Sequence, residues 1–171
     1  MIPRKLPYQQ FLKSFEFASR PAVNLLVERE VYETSRGRNG KFRKLPIKEV
    51  LLTKRQKPPF AGSWHLPGSF ILKGESLMDC AKWVAKEELG VKVENIKLAG
   101  AFNDIAGDPR GHVVDLVYRC KIIRFKRSDL AVPQGRTLQP IGDTAEIRFF
   151  QKLPKNIGFN HRETLKKLGY A

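Results

Sequence analysis

The chain has 171 residues, the size of one ordinary domain, and its hydrophobic content of 42% is enough for a buried core. Its apolar runs are too short for a transmembrane helix, and the basic N-terminus is not followed by the apolar stretch of a signal peptide. Two cysteines are too few for a disulfide framework. We therefore expect a cytoplasmic protein in which Cys80 and Cys120 are reduced core residues. The net charge of +15 favours anionic partners such as nucleotides or nucleic acid, although charge that only maintains solubility would look the same.

The first part of the chain is predicted to form a helix and two strands. Apolar residues near helical spacing predict a short helix within 7–18. Residues rich in β-formers predict a strand over 22–33 and a returning strand over 47–56. Two glycines and five basic residues between them predict a turn or flexible hairpin loop, and its basic stretch 36–44 leaves RNA binding open. Proline and glycine predict a loop over 58–68.

A helix is predicted to begin near Ser76. Ser76 and Asp79 form a capping pattern, and Glu75 places negative charge at the positive end of the helix dipole. Gly90 is suited to end the helix. The apolar stripe that would face the core consists of Leu77, Ala81, Val84 and Ala85.

The last part of the chain is predicted to contain strands and a final helix. Strands are expected within 91–105, over 112–125 and over 146–151, with a loop over 126–144 and a helix over 160–169. Strands outnumber helices, so the predicted class is α+β. The expected architecture is a mixed β-sheet flanked by helices, an α/β/α sandwich, and not a doubly wound parallel sheet.

One stretch, LPGSFILKGESLMDCAKWVAKEELGV at 66–91, resembles the Nudix box, G-x5-E-x7-R-E-U-x-E-E-x-G-U, where U is a bulky aliphatic residue. Glu75, Glu87, Glu88, Gly90 and Val91 stand at the spacing of the box. The chain departs from it at the first Gly, which is Ser69, and at the Arg-Glu pair, which is Trp83 and Val84.

The flanking sequence extends this resemblance over roughly residues 20–169. It resembles the branch of the Nudix family that contains ADP-ribose pyrophosphatases and regulators of NAD metabolism, through FNDIAGDPRGHVVDLVYRCKI at 102–122, GDTAEIRFF at 142–150 and GFNHRETL at 158–165. The resemblance implies the Nudix fold in a single domain over 1–171, with an N-terminal extension at 1–20. It also implies metal-dependent hydrolysis of a nucleoside diphosphate linked to another moiety, such as ADP-ribose.

The resemblance assigns metal ligands. Residues three and four apart, such as positions 84, 87 and 88, lie on one face of a helix, where carboxylates can bind Mg²⁺ or Mn²⁺. Glu87 and Glu88 are the expected ligands, with a backbone carbonyl from Gly68 and a water-mediated contact from Glu75. Val84 removes a third carboxylate, so a further one is sought in a later loop, with these candidates: Asp129, Asp143 and Glu146.

Substrate contacts and a base are also implied. Arg55 and Arg110 are expected to meet substrate phosphates, and Asp104 lies in the loop expected to border the cleft. Glu88 and Glu87 are the expected catalytic carboxylates, and His112 is the candidate for a substitute base. Each of these residues is also of a type common on ordinary protein surfaces.

Two other functions stay open. Loss of the Arg-Glu pair favours a catalytically impaired module that binds a nucleotide ligand. The basic hairpin favours an RNA-binding use, although Phe42 is its only aromatic residue. A homodimer is a further alternative, and no membrane partner is expected.

Overall fold

Two long strands organise the sheet of this protein. The computed structural model describes residues 5–36, 42–123 and 143–170. Its helices are α1 (Tyr8–Lys13), α2 (Leu77–Leu89) and α3 (His161–Lys167), with a short 3₁₀ turn at Ser14–Glu16. Its strands are β1 (Arg20–Arg36), β2 (Phe42–Arg55), β3 (Trp64–His65), β4 (Gly68–Phe70), β5 (Val93–Asp104), β6 (Val113–Ile122) and β7 (Thr144–Phe150).

The seven strands form one mixed sheet in the order β3-β2-β1-β6-β5, with β4 paired to β1 and β7 paired to β2. The first half of β1 runs parallel to β6, and its second half pairs antiparallel with β2. All other pairings are antiparallel. The mixed α+β sheet predicted from the sequence is confirmed.

Alternating side chains of the central strands belong to two core layers, because successive residues of a strand point to opposite faces. Val23, Leu25 and Val27 of β1 belong to the layer that packs beneath α2. Leu26, which lies between them in sequence, belongs to the layer that includes Leu165 of α3. The helices therefore cover opposite faces, as an α/β/α sandwich requires.

The α2 helix begins and ends where its sequence signals predict. The Ser76 side chain accepts a hydrogen bond from the Asp79 amide at 3.1 Å, and Gly90 adopts the left-handed conformation, with φ of 67°. Cys80 of this helix and Cys120 of β6 are buried free thiols, as expected. Within the described residues, no helix is long and apolar enough to cross a membrane.

Two loop predictions were wrong in extent. Residues 34–36 and 42–46, expected in the hairpin loop, lie in β1 and β2, which stay paired out to Arg36 and Phe42; residues 37–41, which include most of the basic stretch 36–44, lie outside the described residues. The predicted loop over 58–68 contains β3 and the start of β4, which pair with β2 and β1 respectively. Turn composition is a local signal and does not report whether a segment pairs with another strand.

Candidate active site

A cleft of about 260 Å³ opens beside the last turn of α2. Its walls come from the ends of β1, β2 and β4, the loop after β5, the residue before β7, and the start of α3. The side chains that line it and carry chemistry are Asn24, Arg55, His65, Glu88, Asp104, Asp108, Arg110, Asp115, Asp143 and His161. The cleft thus joins residues that are far apart in sequence.

Glu88 is the carboxylate that α2 presents to this cleft. Its Oε2 accepts a hydrogen bond from the Gly68 amide at 3.1 Å. Burial, with a smaller contribution from the Asp143 charge, raises the pKa of Glu88 to about 7, although the Gly68 amide and the Arg55 charge oppose this shift. Glu88 is therefore poised to exchange a proton, or to accept a cation, near neutral pH.

A glycine is needed at position 68, where β4 pairs with β1. A Cβ atom at this position would lie 2.0 Å from Oδ1 of Asn24 and 2.9 Å from the carbonyl oxygen of Val23. Only glycine permits this close approach, which places the Gly68 amide against Glu88. The sequence predicted a carbonyl of Gly68 facing a metal; the contact that the structure gives is its amide facing the carboxylate.

Two arginines and an aromatic ring form the cationic wall of the cleft. The guanidinium carbons of Arg55 and Arg110 lie 5.2 and 5.5 Å from the centroid of the Phe159 ring. Arg55 is fixed by a hydrogen bond from Nε to the Pro59 carbonyl at 2.8 Å. Burial, and then the charge of Arg110, lower the pKa of Arg55. This pair forms a preorganised site for an anion.

Asp108 holds Arg110 in place. Arg110 donates from Nε at 2.9 Å and from Nη2 at 2.5 Å to the two carboxylate oxygens of Asp108, which is buried. The guanidinium also lies 4.9 Å from the centroid of the Phe70 ring. A phosphate would meet an arginine whose orientation is already set.

Two buried histidines form hydrogen bonds with the backbone of Leu66. The Leu66 amide donates to Nδ1 of His161 at 3.0 Å, and the Leu66 carbonyl lies 2.7 Å from Nδ1 of His65. Burial lowers the pKa of His65 to about 3 and that of His161 to about 4. Both rings are therefore neutral at pH 7. Because Nδ1 of His161 accepts a hydrogen bond, the single ring proton of His161 is on Nε2. His161 lines the cleft.

Buried carboxylates also line the cleft. Asp115 accepts a hydrogen bond from Nδ2 of Asn24 at 2.7 Å, and Asp104 accepts one from the Gly107 amide at 2.6 Å. Burial, with smaller contributions from the charges of Asp104 and Asp108, raises the pKa of Asp115 to about 6, although the hydrogen bond from Asn24 opposes this shift. Such oxygens are suited to accept hydrogen bonds from hydroxyl groups.

Four residues singled out from the sequence do not line this cleft. Glu87 pairs with Lys86 at 3.1 Å, and Glu75 accepts a hydrogen bond from the Leu72 amide at 2.9 Å. His112 bonds through Nε2 to Asn103, and Glu146 pairs with Arg148. Asp143 lines the cleft, and Asp129 lies outside the described residues.

Trp83 and Val84, the departures from the box, have different surroundings. Trp83 lines the cleft, and Nζ of Lys5 lies 4.9 Å from the centroid of its ring. Val84 is completely buried in the core layer beneath α2. The substitution at 84 therefore completes the core, whereas the one at 83 gives the cleft an aromatic surface.

The cleft fits a divalent cation held by few protein ligands. Among residues 5–36, 42–123 and 143–170, no group of three or more His, Cys, Asp or Glu is arranged to hold a metal. Mg²⁺ at phosphate-handling sites commonly takes one or two carboxylates, with water and substrate phosphates completing its shell. Glu88 and Asp143 both line the cleft and would form that smaller set, and Oδ1 of Asp143 also pairs with Nζ of Lys57 at 2.5 Å.

Comparison with known proteins identifies the family. The model of the NUDIX domain matches residues 39–154 of the chain. The chain belongs to the Nudix family. This confirms the resemblance that the box and its flanks indicated, and the stretch that resembles the box, 66–91, lies within the matched residues.

Two curated archaeal proteins are similar to this chain. An ADP-ribose pyrophosphatase of Methanocaldococcus jannaschii is 32% identical over 120 residues, which are 69% of this chain and 64% of that protein. The low-salt glycan biosynthesis protein Agl8 of Haloferax volcanii is 43% identical over 53 residues, 31% of this chain and 34% of its own length. The chain thus spans less than two thirds of these relatives.

Solved structures show the same Nudix fold. A MutT/nudix family protein from Enterococcus faecalis superposes with a TM-score of 0.62 at 21% identity, covering 96% of this chain and 69% of that one. The NUDIX domain of Shewanella oneidensis NrtR, solved with ADP ribose, gives a TM-score of 0.60 at 18% identity and covers 95% and 96%.

Sequence reasoning missed several residues of the cleft. Asn24, His65, Asp115 and His161 were not selected as site residues. A signal for His161 was present in its position at the start of the last predicted helix. Its contact with Leu66 spans 95 residues, so only the folded chain reveals the pairing.

Proposed function

We propose that this Nudix protein is a metal-dependent hydrolase that cleaves the phosphoanhydride bond of a nucleoside diphosphate derivative such as ADP-ribose. The observation that carries the proposal is the placement of Glu88 in a cleft that Arg55, Arg110 and Asp143 also line. Similarity to an ADP-ribose pyrophosphatase supports the substrate class.

The chain's own residues provide recognition of a sugar diphosphate. Arg55 and Arg110 bind and orient the phosphates, and Nε2–H of His161 offers a neutral donor. Asp115 and Asp104, which line the same cleft, accept hydrogen bonds from sugar hydroxyls. Cationic and acidic side chains of the cleft thus contact different parts of the substrate.

Hydrolysis requires that water form a bond to phosphorus while the bridging P–O bond breaks. A divalent cation at Glu88 and Asp143 would supply neutralisation of phosphate charge and activation of water. Gly68 orients Glu88 through its amide, and burial excludes bulk water from that carboxylate. Glu88 is the residue in this arrangement whose loss should cost most.

The decisive comparison is between two neighbouring glutamates. Glu88→Gln should lower ADP-ribose hydrolysis about 10²–10⁴-fold, because the amide lacks the carboxylate's charge and basicity. Glu87→Gln, the matched control, changes the same side chain outside the cleft and should lower it less than about tenfold. The assignment of Glu88 would be contradicted if both variants lost the same amount of activity, or if neither variant lost activity.

A second candidate function is ligand binding without turnover. It is favoured by Val84, because the box position that would carry a third carboxylate is buried in the core. Binding of ADP-ribose without product, with or without Mg²⁺, would support this alternative. An RNA-binding role of the basic hairpin, a homodimer and a cytoplasmic location remain predictions from the sequence.

A further inference from the structure

A second cavity, much larger than the cleft, lies between α1 and β4. It measures about 1040 Å³. We call it the N-terminal groove; its apolar walls include Leu6, Tyr8, Phe11, Pro21, Phe70 and Leu72. Pockets for complete small ligands usually measure about 300–1,000 Å³. The cleft, at about 260 Å³, lies below this range, so the neighbouring groove can take the rest of a nucleoside diphosphate derivative.

The groove and the cleft are neighbours. Lys5, Ser69 and Phe70 line both cavities. Phe70 meets Arg110, whose guanidinium carbon lies 4.9 Å from the ring centroid, and on α1 it meets Phe11, with ring centroids 5.2 Å apart. A ligand whose phosphates meet the arginines would therefore extend past the Phe70 ring to enter the groove.

The chemistry of the two cavities differs in a way that sorts the parts of a nucleotide. Sugar hydroxyls and phosphates need polar partners, which the cleft supplies through Arg55, Arg110 and Asp115. A nucleobase has apolar faces and stacks on aromatic rings. The groove offers such rings: Tyr8 and Phe11 lie 6.4 Å apart with planes inclined by only 26°, and Tyr8 is 63% exposed.

We propose that the N-terminal groove binds the nucleobase of the substrate, with Tyr8 and Phe11 as specificity residues that stack against it. This rests on the proposed function, because the position of the groove beside the cleft gives the groove its ligand. It makes α1, which precedes the matched NUDIX region, part of the binding site. The residues act on substrate affinity and leave the chemistry at Glu88 unaltered.

The test compares ligands with and without a base. Binding is measured by calorimetry with Mg²⁺ in the Glu88→Gln background, which prevents turnover. Tyr8→Leu and Phe11→Leu should weaken ADP-ribose binding about tenfold, within the range for loss of one base–aromatic stack, and should leave ribose 5-phosphate binding within about twofold. Gln9→Ala, on the same helix but outside the groove, is the matched control and should alter neither.

A second measurement keeps the test decisive where Phe11→Leu loosens α1 or ribose 5-phosphate binds too weakly. Fluorescence of etheno-ADP-ribose should be quenched on binding and recover in Tyr8→Leu, whose exposed side chain contributes little to folding. Unchanged ADP-ribose affinity with unchanged quenching would overturn the inference and leave the proposed function standing. No binding of ADP-ribose to the wild-type protein would overturn both.

Discussion

The buried neutral histidine His161 gives the protein a measurable pH dependence of stability. Its pKa in the folded state is about 4, lowered first by burial, against about 6.5 in an unfolded chain. The folded state therefore binds fewer protons. Its contribution to stability is fully present above pH 6.5 and is lost as the pH falls toward 4. Linkage gives a loss of about 2 kcal/mol between pH 7 and pH 5.

Glu88 and Asp115 have raised pKa values and act in the opposite direction, since the folded state takes up their protons more readily. The wild-type pH profile alone therefore cannot isolate His161. A comparison with His161→Asn can, because the amide oxygen of asparagine can replace Nδ1 as the acceptor for the Leu66 amide and does not titrate.

Urea denaturation followed by circular dichroism at pH 7, 6 and 5 gives the free energies of unfolding. The advantage of the wild type over His161→Asn should shrink by about 2 kcal/mol from pH 7 to pH 5. His161→Gln, which presents its amide nearer the Nε2 position, should be less stable throughout yet show the same trend. A difference that stays constant across these pH values would show that His161 titrates alike in both states, and would refute its burial as a neutral ring.

Two further predictions concern the packing around the cleft. Gly68→Ala should lower the free energy of unfolding by about 1–3 kcal/mol in urea denaturation, because its Cβ would overlap Asn24 Oδ1; wild-type stability would contradict this. Val84→Glu should destabilise the fold by about 3–5 kcal/mol and not restore activity, because an unpaired carboxylate would enter the core. Trp83→Arg, at the neighbouring exposed position, is its control, and equal stability of these two variants would count against the assignment.

Local signals made the α2 region predictable. The capping pair Ser76 and Asp79 and the left-handed Gly90 act over a few residues, so their sequence spacing is sufficient to place the helix. The same spacing could not distinguish Glu87 from Glu88. Adjacent residues project about 100° apart around a helix, and only the packing of α2 decides which one faces the cleft.

Long-range pairings escaped the sequence for a physical reason. Asn24 and Asp115 lie 91 residues apart, and they meet because β1 and β6 run parallel in one sheet. A polar residue inside a predicted strand gives no indication of its partner until strand order and register are known. The acidic lining of the cleft is a product of topology, whereas the motif positions one carboxylate, Glu88.

The measurement that tests the central claim most directly is product analysis of ADP-ribose incubated with the protein and Mg²⁺, alongside Glu88→Gln and Glu87→Gln. The wild type should release AMP and ribose 5-phosphate, chelation of the metal should stop the reaction, and Glu88→Gln should lose about 10²–10⁴-fold while Glu87→Gln retains most activity. Absence of products from wild-type protein that binds ADP-ribose would contradict the account and identify the cleft as a receptor site.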